Sequence, residues 1–410
     1  MKDKLVPRPR FLEKLIRFRG VDVIKVVTGV RRCGKSTLFD LYIEYLKNSG
    51  VYEDQIIHIN LEDVGVEHLR DYTALHEFIL SKLQKNTMTY IFIDEVGRCK
   101  GFEKTIDSIY IKNNTDVYLT GSNADLLSGE LATLISGRYV EIKMLPFSFA
   151  EFYAETENSG ASRTADKNKA FMDYLNTGSL PVVVTQLGSD MELADQYLEG
   201  IYNTIIVKDV VARKGVSDTN LLNSIVKYLC SSIGSLISTA NITDYINNSG
   251  RRITQKTVDK YIKALVDSYL FYSVARYNIK GKNLLKTLGK YYIVDTGIRN
   301  HLLSSSNSDV GHQIENIVYL ELLRRGYRVN IGKIVEKEID FVATKQNTKE
   351  YYQVSMSALD EAVLERELDP LRKVSDNYPK YLLTLDFITG DNEGIKQLNL
   401  IDWLLGTDST

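Results

Sequence analysis

Short apolar runs alternate with amphipathic segments over the first 145 residues of the chain. The runs are rich in β-branched and aromatic side chains, and they predict strands at 22–29, 55–61, 90–94, 116–122 and 139–145. Between them lie segments with helical spacing, such as 37–48 and 75–86. This alternation predicts an α/β fold, with a mostly parallel sheet that carries helices on both faces.

The pattern changes after residue 145. Residues 154–170 are polar and predict a loop, and residues 171–270 are mainly helical in pattern. Strand-like runs then return, mixed with helical segments, at 271–275, 290–294, 339–343 and 351–355. Because the chain has 410 residues, we expect two or three domains, each with its own core.

The overall charge excludes a globally basic nucleic-acid binder. The chain has 51 basic and 53 acidic side chains, a net charge of −2, and 44% hydrophobic residues. Any contact with DNA or RNA would therefore need basic side chains gathered on one face.

Cysteine usage and hydropathy set the expected compartment. The three cysteines, Cys33, Cys99 and Cys230, form no CxxC pair, so neither a disulfide framework nor a zinc cluster is indicated. The basic N-terminus lacks the apolar core of a signal peptide, and no stretch approaches the roughly 18 apolar residues of a membrane span. We expect a cytoplasmic protein without membrane insertion.

A glycine-rich loop follows the first predicted strand. Residues 29–36, GVRRCGKS, fit the pattern G-x-x-x-x-G-K-[ST] and precede a predicted helix. In such a loop the backbone amides curl around a phosphate, the lysine reaches the β- and γ-phosphates, and the serine hydroxyl binds Mg²⁺. The alternative is a glycine turn with a surface lysine. The predicted nucleotide-binding residues are Gly29, Arg32, Cys33, Gly34, Lys35, Ser36 and Thr37.

Arg31 and Arg32 add two cations inside this loop. Their side chains either point outward as solvated charge or make a contact that tightens when nucleotide binds.

Two acids, Asp94 and Glu95, end the buried run YIFID and continue the nucleotide hypothesis. Asp94 is predicted to bind the Mg²⁺ shell through water, and Glu95 to polarise the attacking water. A solvated strand end is the alternative. A glutamate directly after the aspartate favours the additional-strand type of ATPase, in which the 116–122 strand lies between the loop strand and the acid strand.

Three further polar residues are candidates for catalysis. Ser122 and Asn123 end the 116–122 strand, where they would orient water against the γ-phosphate; a hydrogen-bonded turn is the alternative. Arg138 precedes the fifth strand, after a helical stretch. In additional-strand ATPases an arginine at this place often reaches the γ-phosphate of a neighbouring subunit. A surface or intramolecular salt bridge is its alternative role.

Six motifs in this order resemble the prokaryotic AAA-type P-loop ATPases that carry a C-terminal domain of unknown function: GVRRCGKST, YIFIDEV, LTGSNADLLSG, GRYVEIKMLPFSFAEF, IIVKDVVAR and YYIVDTGIRN. The resemblance implies ATP and Mg²⁺ as cofactors. It implies an ATPase core at 1–215 with a helical lid at about 146–215, a winged helix at 216–305, and a restriction-endonuclease-like domain at 306–410. The residues at the family's motif positions are Lys35, Ser36, Asp94, Glu95, Asn123 and Arg138.

One position departs from the family pattern. Gly97 stands where relatives often have glutamine after the acid pair, which puts a coupling role there in doubt but not hydrolysis.

The pattern of residues 216–305 supports the winged helix. A helix, a short helix, a turn, a second helix and a strand follow in order, and Thr254 is the predicted N-cap of the last helix. Basic residues suited to phosphate contacts lie on or near that helix; they are Arg251, Arg252, Lys256, Lys260 and Lys263. A module that only packs against protein is the alternative.

The C-terminal region tests the nuclease resemblance. Glu315 lies on a predicted helix and Asp340 on a predicted strand, two of the acids that such a nuclease needs to hold Mg²⁺. The next strand has Gln353 and Ser355 where an acid and a lysine are needed, and Lys333 or Lys337 would have to replace the lysine. We therefore predict a vestigial site at Glu315, Asp340 and Gln353, without catalysis.

Two functions remain open at this point. The chain is expected to be an ATPase that associates with DNA, or a nucleotide-dependent switch that binds a protein partner. DNA, a protein and further copies of the chain are candidate partners. A small-molecule kinase is disfavoured, because no acceptor-binding signature appears.

Overall fold

The computed structural model describes residues 5–127, 137–158, 166–188, 190–212, 215–303 and 309–407. By their contacts the residues divide into two units. The first is Met1–Met144 with Asp267–Tyr269, and the second is Leu145–Val266 with Leu270–Thr410. Residues 145–215 group with the second unit. The division into three domains at 215 and 305 remains a prediction.

A five-stranded parallel sheet forms the centre of the first unit. Its order is β2-β3-β4-β1-β5, so β4 lies between the loop strand β1 and the acid strand β3, as predicted. All five strands lie where the apolar runs predict them: β1 Ile24–Thr28, β2 Ile56–Asn60, β3 Thr89–Asp94, β4 Thr115–Gly121 and β5 Tyr139–Lys143.

Helices cover both faces of this sheet because neighbouring residues of a strand point to opposite sides. On β3, Ile91 and Ile93 join the apolar core with the third and fourth helices, whereas Phe92 packs edge-on against Phe39 of the second helix at 5.2 Å. The helices are α1 Pro9–Arg17, α2 Lys35–Asn48, α3 Tyr72–Lys82 and α4 Phe102–Tyr110. Short 3₁₀ turns lie at Glu53–Gln55, Val64–Arg70, Val96–Arg98 and Ala124–Leu127.

The second unit begins with helices: α5 Phe149–Asn158, α6 Lys167–Thr177, α7 Met191–Thr204, α8 Thr219–Ser231, α9 Thr239–Asn248 and α10 Gln255–Asp267. Two π-helical segments, Val183–Leu187 and Ile205–Val211, flank α7. Thr254 caps α10 as predicted, since its hydroxyl accepts a hydrogen bond from the Thr257 amide at 3.3 Å.

The loop predicted at 154–170 is wrong at both ends. Helix α5 continues to Asn158, and α6 begins at Lys167. Ser148 and Glu151 exchange hydrogen bonds at the start of α5, and Asp166 accepts one from the Asn168 amide at the start of α6. These caps stabilise helices in a segment with few large apolar residues. Residues 159–165 lie outside the described part of the chain.

An eight-stranded mixed sheet follows, in the order β12-β13-β11-β10-β9-β8-β6-β7. Its strands are β6 Phe271–Asn278, β7 Asn283–Ile293, β8 Arg328–Ile334, β9 Lys337–Lys345, β10 Thr348–Val354, β11 Lys380–Thr384, β12 Gly390–Asn392 and β13 Ile395–Asn399. The hairpin β6–β7 joins the sheet through a parallel pairing of Arg276–Asn278 with Ile331–Lys333. The strands on the two sides of residue 305 therefore share one sheet.

Four helices accompany this sheet: α11 Thr296–Leu303, α12 Val310–Arg324, α13 Glu361–Arg372 and α14 Leu400–Leu405. Helix α12 packs against β7, where the Asn316 side chain bonds both the amide and the carbonyl of Ile293 at 2.8 and 2.9 Å. Next to it, the Tyr319 ring stacks on that of Tyr292 with centroids 4.5 Å apart. These contacts fix the face of α12 that carries Glu315.

Candidate functional site

The glycine-rich loop joins β1 to α2 at the carboxyl end of the parallel sheet, and its backbone conformation explains its residues. Gly29 has φ of 152°, and a Cβ on it would lie 2.2 Å from the Met144 carbonyl oxygen. Gly34, at the N-cap of α2, has φ of 101°. Only glycine fits both requirements without strain. The loop therefore leads directly into the N-terminus of α2, where free amides favour an anion.

Lys35 lies folded over its own loop. Its side chain is almost fully buried, and its Nζ donates to the carbonyls of Gly29 and Val30 at 3.0 and 3.2 Å. The same atom lies 3.7 Å from Oε1 of Glu95. The loop lysine and the second acid are therefore adjacent, as the nucleotide hypothesis requires.

Asp94 ends β3 and Glu95 follows it, and both acids are buried. The Thr120 hydroxyl donates to the Asp94 carboxylate and accepts a hydrogen bond from the Glu95 amide at 2.8 Å. Glu95 itself has φ of 50°, in the left-handed region, which turns its side chain at the strand end. The Ser122 hydroxyl donates to Oε2 of Glu95 at 3.1 Å. One hydroxyl thus orients the acid pair, and a second holds the glutamate.

The remaining loop residues differ in burial. Ser36 and Arg32 are exposed, Thr37 is half-buried, and Cys33 is buried with its Sγ 3.6 Å from the Met144 carbonyl oxygen. Burial raises the pKa of the Cys33 thiol, so this cysteine acts as a packed apolar group. Asn123, next to Ser122 at the end of β4, is 1% exposed.

The oxygen donors at the site suit a hard divalent cation. The Ser36 hydroxyl and the Asp94 carboxylate belong to the ligand class that Mg²⁺ prefers, and Mg²⁺ usually completes its shell with water and phosphate oxygens. These residues therefore fit a magnesium–nucleotide complex.

Arg138 is not brought to this site within its own chain. Its carbonyl accepts a hydrogen bond from the Ile24 amide, which places it at the amino end of β1, opposite to the glycine-rich loop. Its guanidinium donates to Asp107 of α4 at 2.9 Å and lies over the Tyr110 ring. The helical stretch predicted before Arg138 lies outside the described residues.

The three residues of the predicted vestigial site lie on neighbouring elements. A fourth residue, Lys290 of β7, organises them: its Nζ lies 2.8 Å from both Glu315 and Glu338 and 3.7 Å from Asp340. Glu315 also accepts a hydrogen bond from the Tyr292 hydroxyl at 2.6 Å. The lysine is 3% exposed, so one ammonium group neutralises acids in a dry environment.

Gln353 supports this cluster rather than completing a metal site. It accepts a long hydrogen bond from the Asp340 amide and donates to Glu367 at 2.9 Å. Burial and the nearby charge of Glu315 raise the pKa of Asp340 to about 8, against the attraction of Lys290. Within the described part of the chain, no group of three His, Cys, Asp or Glu side chains has a geometry that holds a metal ion.

Comparison with known proteins decides the family. An uncharacterized protein of Haemophilus influenzae is 37% identical over 407 residues, which cover 99% of this chain and 100% of that protein. Residues 22–153 match the AAA domain family. The protein belongs to the same family as this Haemophilus influenzae protein, and residues 22–153 are its AAA domain. An uncharacterized protein of Methanocaldococcus jannaschii, MJ1544, is 28% identical over 391 residues, with 92% of this chain and 85% of that protein covered.

The fold of this AAA-type protein also occurs in a solved structure, the Walker-type ATPase PABY2304 of Pyrococcus abyssi. The TM-score is 0.53 at 14% identity, with 73% of this chain and 97% of that chain covered. Residues 168–309 match a family described as a domain of unknown function. None of the helices in the described ranges has the length and apolarity of a membrane span.

Sequence reasoning missed several residues of this AAA-type protein. Thr120 is the last residue but one of β4. Because side chains alternate in direction along a strand, the sequence pattern of β4 could have placed Thr120 beside β3. Glu62 and Arg98 follow β2 and β3 and form ion pairs there. Lys290 gave no local signal, because its partners lie 25 to 50 residues further along the chain.

Proposed function

We propose that the protein is a Mg²⁺-dependent ATPase. The observation that carries this proposal is the convergence of Lys35, Glu95 and Ser122 at the glycine-rich loop, where Glu95 directly follows Asp94, the last residue of β3. A glycine turn with a surface lysine would not bury the lysine against an acid that follows a neighbouring strand.

Each residue has a defined task in the proposed reaction. The amides of residues 29–35 bind the β-phosphate, and Lys35 leaves the loop carbonyls to bind β- and γ-phosphate oxygens. Ser36 and Asp94 hold Mg²⁺, which neutralises charge on the phosphates when it is bound. Glu95 accepts a proton from water as the water oxygen attacks the γ-phosphorus and the bond to the β-phosphate oxygen breaks. Ser122 and Asn123 orient that water.

Two substitutions test the proposal by phosphate release and by nucleotide binding. Lys35→Ala should abolish turnover and weaken ATP binding, because the triphosphate loses its main cation. Glu95→Gln should keep ATP binding but lower turnover by about 10² or more, because only proton acceptance is lost. Lys47→Ala, at an exposed site on the same helix, is the matched control. Parental turnover in Lys35→Ala would contradict the proposal.

We further propose that residues 216–305 form a winged helix that associates with DNA. Three helices followed by a hairpin, α8, α9, α10 and β6–β7, support it. Arg252, Lys256, Lys260 and Lys263 are exposed, which suits phosphate contacts. A nucleotide-dependent switch that binds a protein partner is the alternative, and turnover that is indifferent to DNA would favour it.

We also propose that the C-terminal region is restriction-endonuclease-like but does not cleave. Lys290 supports this, because its ammonium lies 2.8 Å from Glu315 and 3.7 Å from Asp340, the side chains that would have to bind Mg²⁺, and repels a second cation there. Incubation with linear and branched DNA plus Mg²⁺ or Mn²⁺ should leave the DNA intact. Cleavage that disappears in Asp340→Ala would contradict this proposal.

A further inference from the structure

Charged side chains link the three segments that follow β1, β2 and β3. Arg31 lies in the glycine-rich loop, Glu62 lies two residues after β2, and Arg98 lies four residues after β3. Both guanidinium groups reach the same oxygen: Glu62 Oε1 is 3.2 Å from Arg31 Nη1 and 2.8 Å from Arg98 Nη2. A single carboxylate therefore holds two arginines at the carboxyl edge of the sheet.

This trio lies beside the acid pair. The amide of Leu61, next to Glu62, donates to the Asp94 carbonyl at 3.1 Å, and the Arg98 amide donates to the Glu95 carbonyl at 3.0 Å. Arg31 begins in the loop that carries Lys35, so its side chain runs from the phosphate loop toward the side of the acids. Its side chain is 10% exposed, which strengthens its electrostatic contacts.

Glu62 can exchange one partner without becoming an unpaired charge. Partial burial raises the pKa of its carboxyl, but the hydrogen bond from Arg98 and the charge of Arg31 outweigh burial and hold the pKa below its ordinary value. If Arg31 moved to another anion, the shorter contact with Arg98 would remain. Removing one of two cations is therefore far less costly than breaking an isolated buried ion pair.

We propose that Arg31 contacts the γ-phosphate of ATP within its own chain. When no triphosphate is bound, the Glu62 carboxylate binds Arg31 instead. This inference rests on the proposed ATPase function. ATP offers a terminal phosphate that ADP lacks, so Arg31 exchanges Glu62 for that phosphate only in the ATP state. A guanidinium suits this task because its fork of donors matches phosphate oxygens and carboxylates alike.

The chemistry gains from the exchange in two ways. Arg31 neutralises charge on the transferring phosphoryl group from inside the chain, a task that an arginine from a neighbouring subunit performs elsewhere. Glu62 and Arg98 are positioning residues, because they act through Arg31. The arrangement also lets the chain distinguish ATP from ADP without a partner.

The test compares ADP with a non-hydrolysable ATP analogue, each titrated into the full-length protein with Mg²⁺. Arg31→Ala should leave ADP affinity within about threefold, weaken analogue binding about tenfold, and lower kcat on the order of 10³-fold at every protein concentration. Arg31→Lys should recover part of the analogue affinity, because it keeps the charge but not the fork. Arg17→Ala, on an 80% exposed side chain, is the matched control.

Substitutions of the two positioning residues, Glu62 and Arg98, should change the affinity for the ATP analogue in opposite directions. Glu62→Gln removes the competing charge, so analogue affinity should rise several-fold while ADP affinity stays constant. Arg98→Ala removes the shorter contact of Glu62 and leaves its carboxylate to Arg31, so analogue affinity should fall. Glu53→Gln, at an 88% exposed carboxylate with its own lysine partner, is the control for Glu62→Gln. A merely structural ion pair would lower affinity in both variants.

The outcomes separate the inference from the proposed function. If the parental protein hydrolyses ATP but Arg31→Ala loses ADP and analogue affinity equally, Arg31 only shapes the loop and the inference is wrong. If Glu62→Gln weakens binding of the analogue, Glu62 does not compete with the γ-phosphate for Arg31, and that part of the inference is wrong. A parental protein that neither binds nor hydrolyses ATP contradicts the ATPase proposal itself. Should Arg31→Ala not fold, Arg31→Lys and Glu62→Gln carry the same comparison.

Discussion

Thr120 illustrates how much one side chain contributes at this site. Its hydroxyl donates to Asp94 and accepts from the Glu95 amide, so it fixes one acid directly and the backbone of the other. Lys35 and Ser122 then contact the Glu95 carboxylate from two sides. The acids were identifiable from the sequence because they end an apolar run. The hydroxyls were harder to find, since a threonine inside a strand has no distinctive pattern.

Gly29→Ala should damage both folding and nucleotide binding. The added Cβ would meet the Met144 carbonyl oxygen at 2.2 Å, and the φ of 152° is unfavourable for alanine. We expect the free energy of unfolding in urea to fall by more than about 1 kcal/mol. Gly200→Ala, with open space around a glycine inside α7, should instead gain about 0.5–1 kcal/mol. Unchanged stability in Gly29→Ala would contradict this explanation of the loop.

Asp340 should make stability depend on pH. Its pKa is raised from 3.8 to about 8, so its contribution to stability is complete below pH 4 and is lost as the pH rises to about 8. Asp340→Asn should remove this loss of stability, because an asparagine side chain does not ionise. The free energy of unfolding of the parental protein should therefore fall relative to the variant, by at most about 1.4 kcal/mol per pH unit for one proton.

Urea unfolding at pH 5, 6, 7 and 8 measures this difference. Glu336→Gln, at an exposed position before β9, should leave the parental pH profile in place. A constant difference between Asp340→Asn and the parent across this range would show that Lys290 keeps Asp340 ionised throughout.

At the scale of elements, the strands of the first unit were predictable from the sequence, whereas the pairing of strands in the eight-stranded sheet was not. The strands read clearly because each is a short apolar run that alternates with a helix, and parallel order follows from that alternation. Helix ends at 154–170 were misread, since their stability comes from the caps at Ser148 and Asp166 rather than from apolar residues. Lys290 of β7 contacts acids of α12 and β9 that lie 25 to 50 residues further along the chain, so no local pattern could reveal it.

Helix α10 offers a test of DNA association at this scale. Lys256→Gln and Lys263→Gln each remove one exposed cation, so each should weaken binding to DNA of any sequence and reduce the salt slope by about 1. Fluorescence anisotropy at several salt concentrations measures both quantities. Lys396→Gln, at the exposed position of the otherwise buried strand β13, is the matched control. An unchanged salt slope in both α10 variants would favour the protein-partner alternative.

At the scale of the whole molecule, the proposed role of Arg138 at the site of a neighbouring chain requires association between chains. The residue lies at the sheet edge opposite to its own glycine-rich loop and pairs with Asp107. If it serves a neighbouring chain, Arg138→Ala should lower turnover per chain only at concentrations where chains associate, on the order of 10³-fold at saturation.

Turnover measured over a range of protein concentrations, together with light scattering, tests this expectation. The Arg17→Ala variant should follow the parental curve, because Arg17 lies exposed on α1. Parental turnover per chain that is independent of concentration, with no effect of Arg138→Ala, would restrict Arg138 to its pair with Asp107.

The parallel pairing of β6 with β8 has a practical and an evolutionary consequence. A polypeptide cut at residue 305 would strip β8 of its neighbour and expose a bare strand edge on each fragment, a setting that invites aggregation. Recombination that exchanged only the last hundred residues would disrupt the same pairing of β6 with β8. We therefore expect the β6–β7 hairpin and the residues after 305 to be expressed together, and to be inherited and exchanged between genes as one unit.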